Sequence, residues 1–191
     1  MARAIMDAVM VLALPTAVLL GGGWAMVHAV GREEVTRQLD EKAAAKDRKP
    51  LNQRLKGYES ADVGRHWDAL DPNALAIEER FLELDLVFPV LYGAALAAAL
   101  LMAWTMLGRP FHPGWLILPV AITIVADWIE NLVQLSQLHL YLVKGGPALQ
   151  AVWVQVASTA TVLKLAFLIT SLLLVVGLSG WMVVRAVHPS S

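Results

Sequence analysis

The sequence predicts an all-α integral membrane protein, a four-helix bundle with a partly helical hydrophilic loop between its first and second spans. Three observations carry this. Of 191 residues, 58% are hydrophobic and 16% charged, and mean hydropathy is +0.59, whereas a soluble domain is nearer half apolar and a quarter charged. Most charges fall between Arg32 and Asp85, which separates a wet segment from lipid-soluble ones. Four apolar runs are long enough to cross a hydrocarbon core of about 30 Å at about 1.5 Å per residue. A net charge of -1 suggests no nucleic-acid partner and no polybasic lipid-binding face. With no cysteine, disulfides, thiol catalysis and thiolate iron–sulfur ligation are excluded.

The whole chain, 1–191, reads as a single transmembrane domain with spans at about 5–30, 86–107, 114–143 and 148–184 and a hydrophilic segment at 31–80. In the first span Pro15, Thr16 and Gly21-Gly22-Gly23 permit a bend and close backbone approach. Val27-His28-Ala29 loosely fits a signal-peptide cleavage site, but the apolar run is longer than a usual signal core, so the uncleaved reading is taken.

In the hydrophilic segment, 32–47 is rich in helix formers and Pro50 should stop that helix. Tyr58, Val63, Trp67 and Leu70 form an apolar set suited to the membrane surface or the bundle's mouth. Asp71-Pro72 reads as an N-cap followed by proline at N1, opening a helix expected to run unbroken into the second span. That span closes at the turn 108–112, and Pro113 starts the third. The third is expected to continue to Lys144, with Gly145-Gly146 as a left-handed cap and Pro147 opening the fourth. Trp24, Trp104, Trp115, Trp153 and Trp181 lie toward span ends, as an interfacial belt requires; Trp128 does not.

Four spans put both termini and the Arg109 turn on one side and the long loop with Lys144 on the other. The Lys and Arg counts of the two sides conflict. The termini are assigned to the cytoplasm because a charge-balanced loop of this length can translocate.

Asp127, Glu130, Asn131 and Gln134 are spaced i, i+3, i+4, i+7, which puts them on one face of the third helix. Charge at bilayer depth costs at least about 2.5–3.5 kcal/mol, so this stripe should face protein or a wet cavity. Asp127 and Lys164 are equidistant from the Gly145-Gly146 turn and hence level in an antiparallel hairpin. About Pro110, Tyr92 is level with Trp128, within reach of Asp127 or Asn131. Asp85 shares a helical face with Pro89 and Tyr92, near the level of Gln134. One cluster is therefore expected from Asp85, Tyr92, Asp127, Glu130, Asn131, Gln134 and Lys164.

Three functions compete for this cluster. The leading one is a structural or interaction subunit held by a buried ion pair. The first alternative is a transporter or binder of a small or lipid-soluble ligand with a protonatable carboxylate, because one lysine neutralises only one acid and leaves Glu130 or Asp85 to be protonated, hydrated, metal-bound or engaged with a ligand. The second is an intramembrane acid–base enzyme using Asp127 and Glu130 with Tyr92 as donor. No nucleophile elbow, P-loop or HExxH signature is present. His28, His66, His112, His139 and His188 do not cluster in sequence. A site of His28, His139 and Asp85, or haem between the two histidines, is a weaker alternative to surface histidines; no metal is assigned and no cofactor named. The expected partners are the lipid bilayer, a larger membrane complex or a second copy, and a lipid-soluble ligand.

Asp85-Leu86-Val87-Phe88-Pro89 with Tyr92-Gly93, then Pro119 with Ala126-Asp127-Trp128-Ile129-Glu130-Asn131, then Lys164 resembles a pattern of uncharacterised small polytopic bacterial inner-membrane proteins. Gly57-Tyr58 ahead of Trp67 and Leu70 belongs to the same pattern. The resemblance covers roughly the last two-thirds of the chain. It implies an inner-membrane location and one shared unit at these positions, with no activity to carry over.

Overall fold

A computed structural model describes residues 2–42 and 49–188. The described residues are helical without strands, and four helical stretches are long and apolar enough to cross a membrane: Ala2–Val30, Pro72–Met106, Gly114–Lys144 and Ala151–Val187. The first comprises α1 (Ala2–Thr16), a π-helical segment (Ala17–Gly22) and α2 (Gly23–Val30). The widened turn falls just after Pro15 and spans Gly21 and Gly22, where the sequence offered a bend. Gly22 earns its place by close approach: a Cβ there would sit 2.8 Å from the Phe88 ring. Gly31, at φ 73°, ends α2 with a left-handed cap.

The hydrophilic segment folds into α3 (Glu33–Lys42), α4 (Ser60–Asp68) and α5 (Pro72–Leu84). The expected 32–47 helix is seen over its first part, and 43–48 lie outside the described residues. Asp71 caps α5 as its sequence position requires, its carboxylate accepting from the Ala74 amide at 2.8 Å. The amphipathic set Tyr58, Val63, Trp67 and Leu70 is buried with Val35, Leu39, Leu51, Ala74 and Leu75 in a core that also takes Leu138, Val154 and Ala157 from the last two long helices.

The unbroken helix expected from Asp71 into the second span is not formed. The chain turns at 85–87 between α5 and α6 (Phe88–Met106). Pro89 is the reason: it has no amide hydrogen, and its ring collides with the carbonyl four residues earlier, that of Asp85. Two further expectations need correction. Pro147 sits in a 3-10 turn (Gly146–Ala148) ahead of α8 (Ala151–Val187) and does not open that helix. Gly145 has the positive φ of a cap, 77°, but ψ 176°, so its backbone is extended and not left-handed helical.

Helix lengths explain the architecture. α6 has 19 residues, a rise of about 28 Å that matches the hydrocarbon thickness. α7 (Gly114–Lys144) has 31 residues and α8 has 37, so both overshoot it. Their excess stands at the Gly145 end, where α5 packs on α7 and α4 on α8. A hydrophilic cap thus covers one end of a membrane bundle. The bundle has its own core, in which Val11, Leu96, Ala99, Leu100, Ala103, Leu116, Val120, Val175 and Leu178 meet. α7 and α8 are its closest pair, and the first span is its least buried member.

Candidate functional site

Between the two apolar cores lies a polar layer. Along α7 the buried positions run Leu116 and Val120 in the bundle core, then Thr123, Asp127, Glu130, Asn131 and Gln134, then Leu138 in the cap core. Along α8 they run Val154 and Ala157, then Ser158, Thr161 and Lys164, then Ser171 and Val175. The i, i+3, i+4, i+7 stripe of α7 therefore faces protein, as the cost of lipid exposure requires.

Lys164 Nζ lies 3.0 Å from Asp127 Oδ1 and is also paired with Glu130 Oε2. The level of these residues follows from the Gly145 turn, and the small Ala157, Ala160 and Thr161 let α8 approach α7 closely. The Tyr92 hydroxyl donates to Asp127 Oδ2 at 2.6 Å. Gly93, next to it, is where α6 comes closest to α7, since a Cβ there would overlap the Ile124 side chain. Gln134 Nε2 donates to Glu130 Oε1 at 3.0 Å and to the Tyr58 hydroxyl at 2.8 Å.

The α5–α6 turn is tied into the same layer. In a continuous helix the Asp85 carbonyl would accept from residue 89, which is proline, and the Leu86 carbonyl from Val90, whose amide instead bonds Val87 at 3.1 Å. Both freed carbonyls are met by α7 side chains: Asn131 Nδ2 donates to Asp85 O at 2.8 Å and Trp128 Nε1 to Leu86 O at 2.8 Å. This explains why one tryptophan sits away from the interfacial belt, and it links the Asp85–Pro89 and Asp127–Asn131 stretches physically. Asn131 Nδ2 also donates to Asp127 Oδ1 at 3.1 Å.

All seven expected residues are buried in or beside this layer, and six of them are joined by side-chain contacts to one another. The Asp85 carboxylate is the exception. Its backbone carbonyl joins the network, while no hydrogen bond to its side chain is seen among the described residues. Among the described residues Asn131 Oδ1 is a buried acceptor without a hydrogen-bond partner, and Glu130 Oε2 has none beyond its ion pair with Lys164.

Sequence reasoning placed Thr161 on the Lys164 face but left Tyr58 and Ser158 out of the cluster. Tyr58 closes the layer from the cap side: its hydroxyl accepts from Gln134 and, at 3.3 Å, from Thr161, and its amide donates to Ser158 Oγ at 2.8 Å. Burial, and then the nearby Glu130 charge, push the Tyr58 hydroxyl well above the ordinary phenol value, so it stays protonated. Gly57, at φ 75°, turns the chain against Ser158 and leaves no room for a side chain there. The pairing of Gly57 with Tyr58 was the available signal; Ser158 could have been found by extending the face of Lys164 and Thr161 one further step of three.

A second buried ionic group, in the cap, was not anticipated. Arg32 Nη2 is 3.2 Å from Glu78 Oε1, and its guanidinium stacks 3.4 Å from the centre of the Phe81 ring. The fully buried His66 places Nε2 3.8 Å from the same Glu78 oxygen. Arg32 Nε, both His66 nitrogens, Glu78 Oε2 and Trp67 Nε1 find no hydrogen-bond partner among the described residues.

His28 pairs with Glu33 and His139 with Glu79, at 3.1 and 2.6 Å, so neither joins Asp85. Among the described residues no group of three or more His, Asp or Glu is placed to hold a metal ion. A cavity of about 540 Å³ is an apolar groove between α7 and α8 lined by Ala121, Val125, Ile129, Val156 and Leu163 among others. Neither this groove nor three other cavities of about 220 to 460 Å³ among the described residues are lined by Asp127, Glu130 or Lys164.

Fold and layer together define a class, that of polytopic α-helical membrane proteins with charge buried between the helices. No protein-family model matches the chain, and no curated protein and no solved structure matches it either.

Proposed function

We propose that this chain is a structural or interaction subunit of a bacterial inner membrane, in which the Lys164 layer clasps the helical bundle to its cap. The observation that carries the reading is that one lysine meets both Asp127 and Glu130 in a layer that lines none of the four cavities described above. A ligand site needs an entry path; a clasp needs closure. The wide apolar surface left on the first span, with Met6, Val9, Met10, Leu20 and Trp24 exposed, supports lipid or a further membrane helix, from a larger complex or a second copy, as the partner. The termini and Arg109 face the cytoplasm in this reading. Cysteines introduced at Lys56 and His188 should then label from opposite sides of the membrane, Lys56 from outside.

The clasp is tested by a double-mutant cycle. Removing one member of a buried pair strands the other charge and costs about 3–5 kcal/mol. Lys164→Met should therefore destabilise the protein more than Lys164→Met combined with Asp127→Asn. Simple additivity would remove the clasp.

A second reading, transport or binding coupled to a protonatable carboxylate, is favoured by the Asp85 side chain, to which no hydrogen bond is seen among the described residues, and by the buried, unpartnered Asn131 Oδ1. It predicts a cation- or proton-dependent response abolished by Glu130→Gln without loss of stability. An acid–base enzyme built on Asp127 and Glu130 would need a substrate path to the layer, and neither carboxylate lines any of the four cavities described above.

A further inference from the structure

The opposite end of the bundle carries a small open pocket of about 220 Å³, lined by Ala4, Asp7, Met106, Leu107, Met182, Arg185 and Ala186. It lies where α1 begins and α6 and α8 end. Because α6 matches the hydrocarbon thickness, its last residues, Met106 and Leu107, mark the level at which acyl chains give way to lipid headgroups.

The two charges in this pocket differ in how they are held. Arg185 Nη1 donates to the Leu107 carbonyl at 2.7 Å, which fixes the guanidinium across the end of α6 and leaves its other donors directed elsewhere. Asp7 interrupts an otherwise uncharged run and has neither an ion pair nor a hydrogen bond to its side chain among the described residues. Arg185 does not neutralise it, although both line one pocket. The carbonyl-rich C-terminal ends of α6 and α8 add negative potential on the same side. A positioned guanidinium thus stands close to an unpaired carboxylate, against a wall of methionine and alanine side chains at headgroup level.

We propose that this pocket binds the headgroup of a zwitterionic phospholipid bearing a primary ammonium, of the phosphatidylethanolamine type. The phosphate takes the remaining Arg185 donors, in the fork geometry that suits phosphate oxygens. The ammonium donates hydrogen bonds to Asp7, which a quaternary choline headgroup cannot do and a glycerol headgroup cannot match in charge. The apolar wall receives the upper part of the acyl chains.

The full chain, reconstituted in nanodiscs of equal parts dioleoyl phosphatidylethanolamine, phosphatidylcholine and phosphatidylglycerol and released into native mass spectrometry, should retain the ethanolamine lipid over the other two. An exposed ion pair supports a preference on the order of fivefold. Asp7→Asn should abolish the preference for ethanolamine over choline while phosphate-dependent retention of both persists. Arg185→Gln, which can still donate to Leu107, should lower retention of all three. Equal retention of ethanolamine and choline lipids by the unaltered protein, preferential retention of the glycerol lipid, or an ethanolamine preference that survives Asp7→Asn would each overturn the proposal.

Discussion

The Lys164 layer and the Arg32 group use the same ingredients, a buried cation against buried carboxylates, and satisfy them to different degrees. In the layer, Asp127 accepts from Tyr92, Asn131 and Lys164, and Glu130 accepts from Gln134 and is ion-paired with Lys164. In the cap, Arg32 and Glu78 share one contact, His66 stands 3.8 Å away, and among the described residues five polar atoms of this group find no hydrogen-bond partner, against two in the layer. The difference reflects how each is built. Two long antiparallel helices present repeating faces, so a donor on one is met by acceptors on the other over several turns. Arg32, His66 and Glu78 come from three separate segments and converge at a single point.

The largest effect should come from breaking the tighter of the two. Lys164→Met leaves Asp127 and Glu130 facing one another in a buried layer, with an expected cost of about 3–5 kcal/mol, measurable as reversible unfolding in detergent. Arg32→Met strands the buried Glu78 carboxylate, at a cost of about 3 kcal/mol, the lower end of the same range, because one carboxylate and not two is left and His66 stands beside it. It should release the cap while the bundle stays folded, seen as faster amide exchange confined to α3–α5. Equal, global losses from both variants would erase the distinction between the two groups.

The Asp127 stripe and the level of Lys164 and Tyr92 were legible because helical period and turn position are properties of the sequence alone. The break at 85–87 was less so. Pro89 signals it, but the apolar run continues past it, and the compensation comes from Asn131 and Trp128, 46 and 42 positions away from the carbonyls they meet. The Arg32 group was not legible at all, since nothing periodic relates residues 32, 66 and 78, and the cap helices that bring them together bury only part of their surface.

The helix break supports the next prediction. Asn131→Leu preserves bulk and removes the donor to Asp85 O and Asp127, so it should cost about 1–3 kcal/mol by leaving a buried carbonyl unpaired. Trp128→Phe, at the lipid edge, should cost less. Gly93→Val forces Ile124 aside where α6 and α7 touch and should cost about 1–3 kcal/mol; a tolerated valine would show that the contact yields.

The smallest effect belongs to the cap's exposed rim. The Ala74 amide, together with Gln38, holds the Asp71 carboxyl below its ordinary value. A carboxyl lowered in the folded state stabilises above its unfolded value, and that contribution is lost as pH falls through the folded one. Acid should therefore loosen α5 in the unaltered protein, and Asp71→Asn, which still caps, should flatten that part of the pH dependence.

The central claim is that the Lys164 layer is closed, and the absence of native cysteine makes it directly measurable. A single Thr161→Cys substitution puts a thiol beside Tyr58 at a position with no solvent exposure. Measured in liposomes with a small water-soluble thiosulfonate, the folded protein should leave this cysteine unlabelled while the same reagent modifies it fully after unfolding. Labelling of the folded protein at a rate near that of a cysteine placed at the exposed Lys56 would mean that water reaches the layer, and would contradict the clasp.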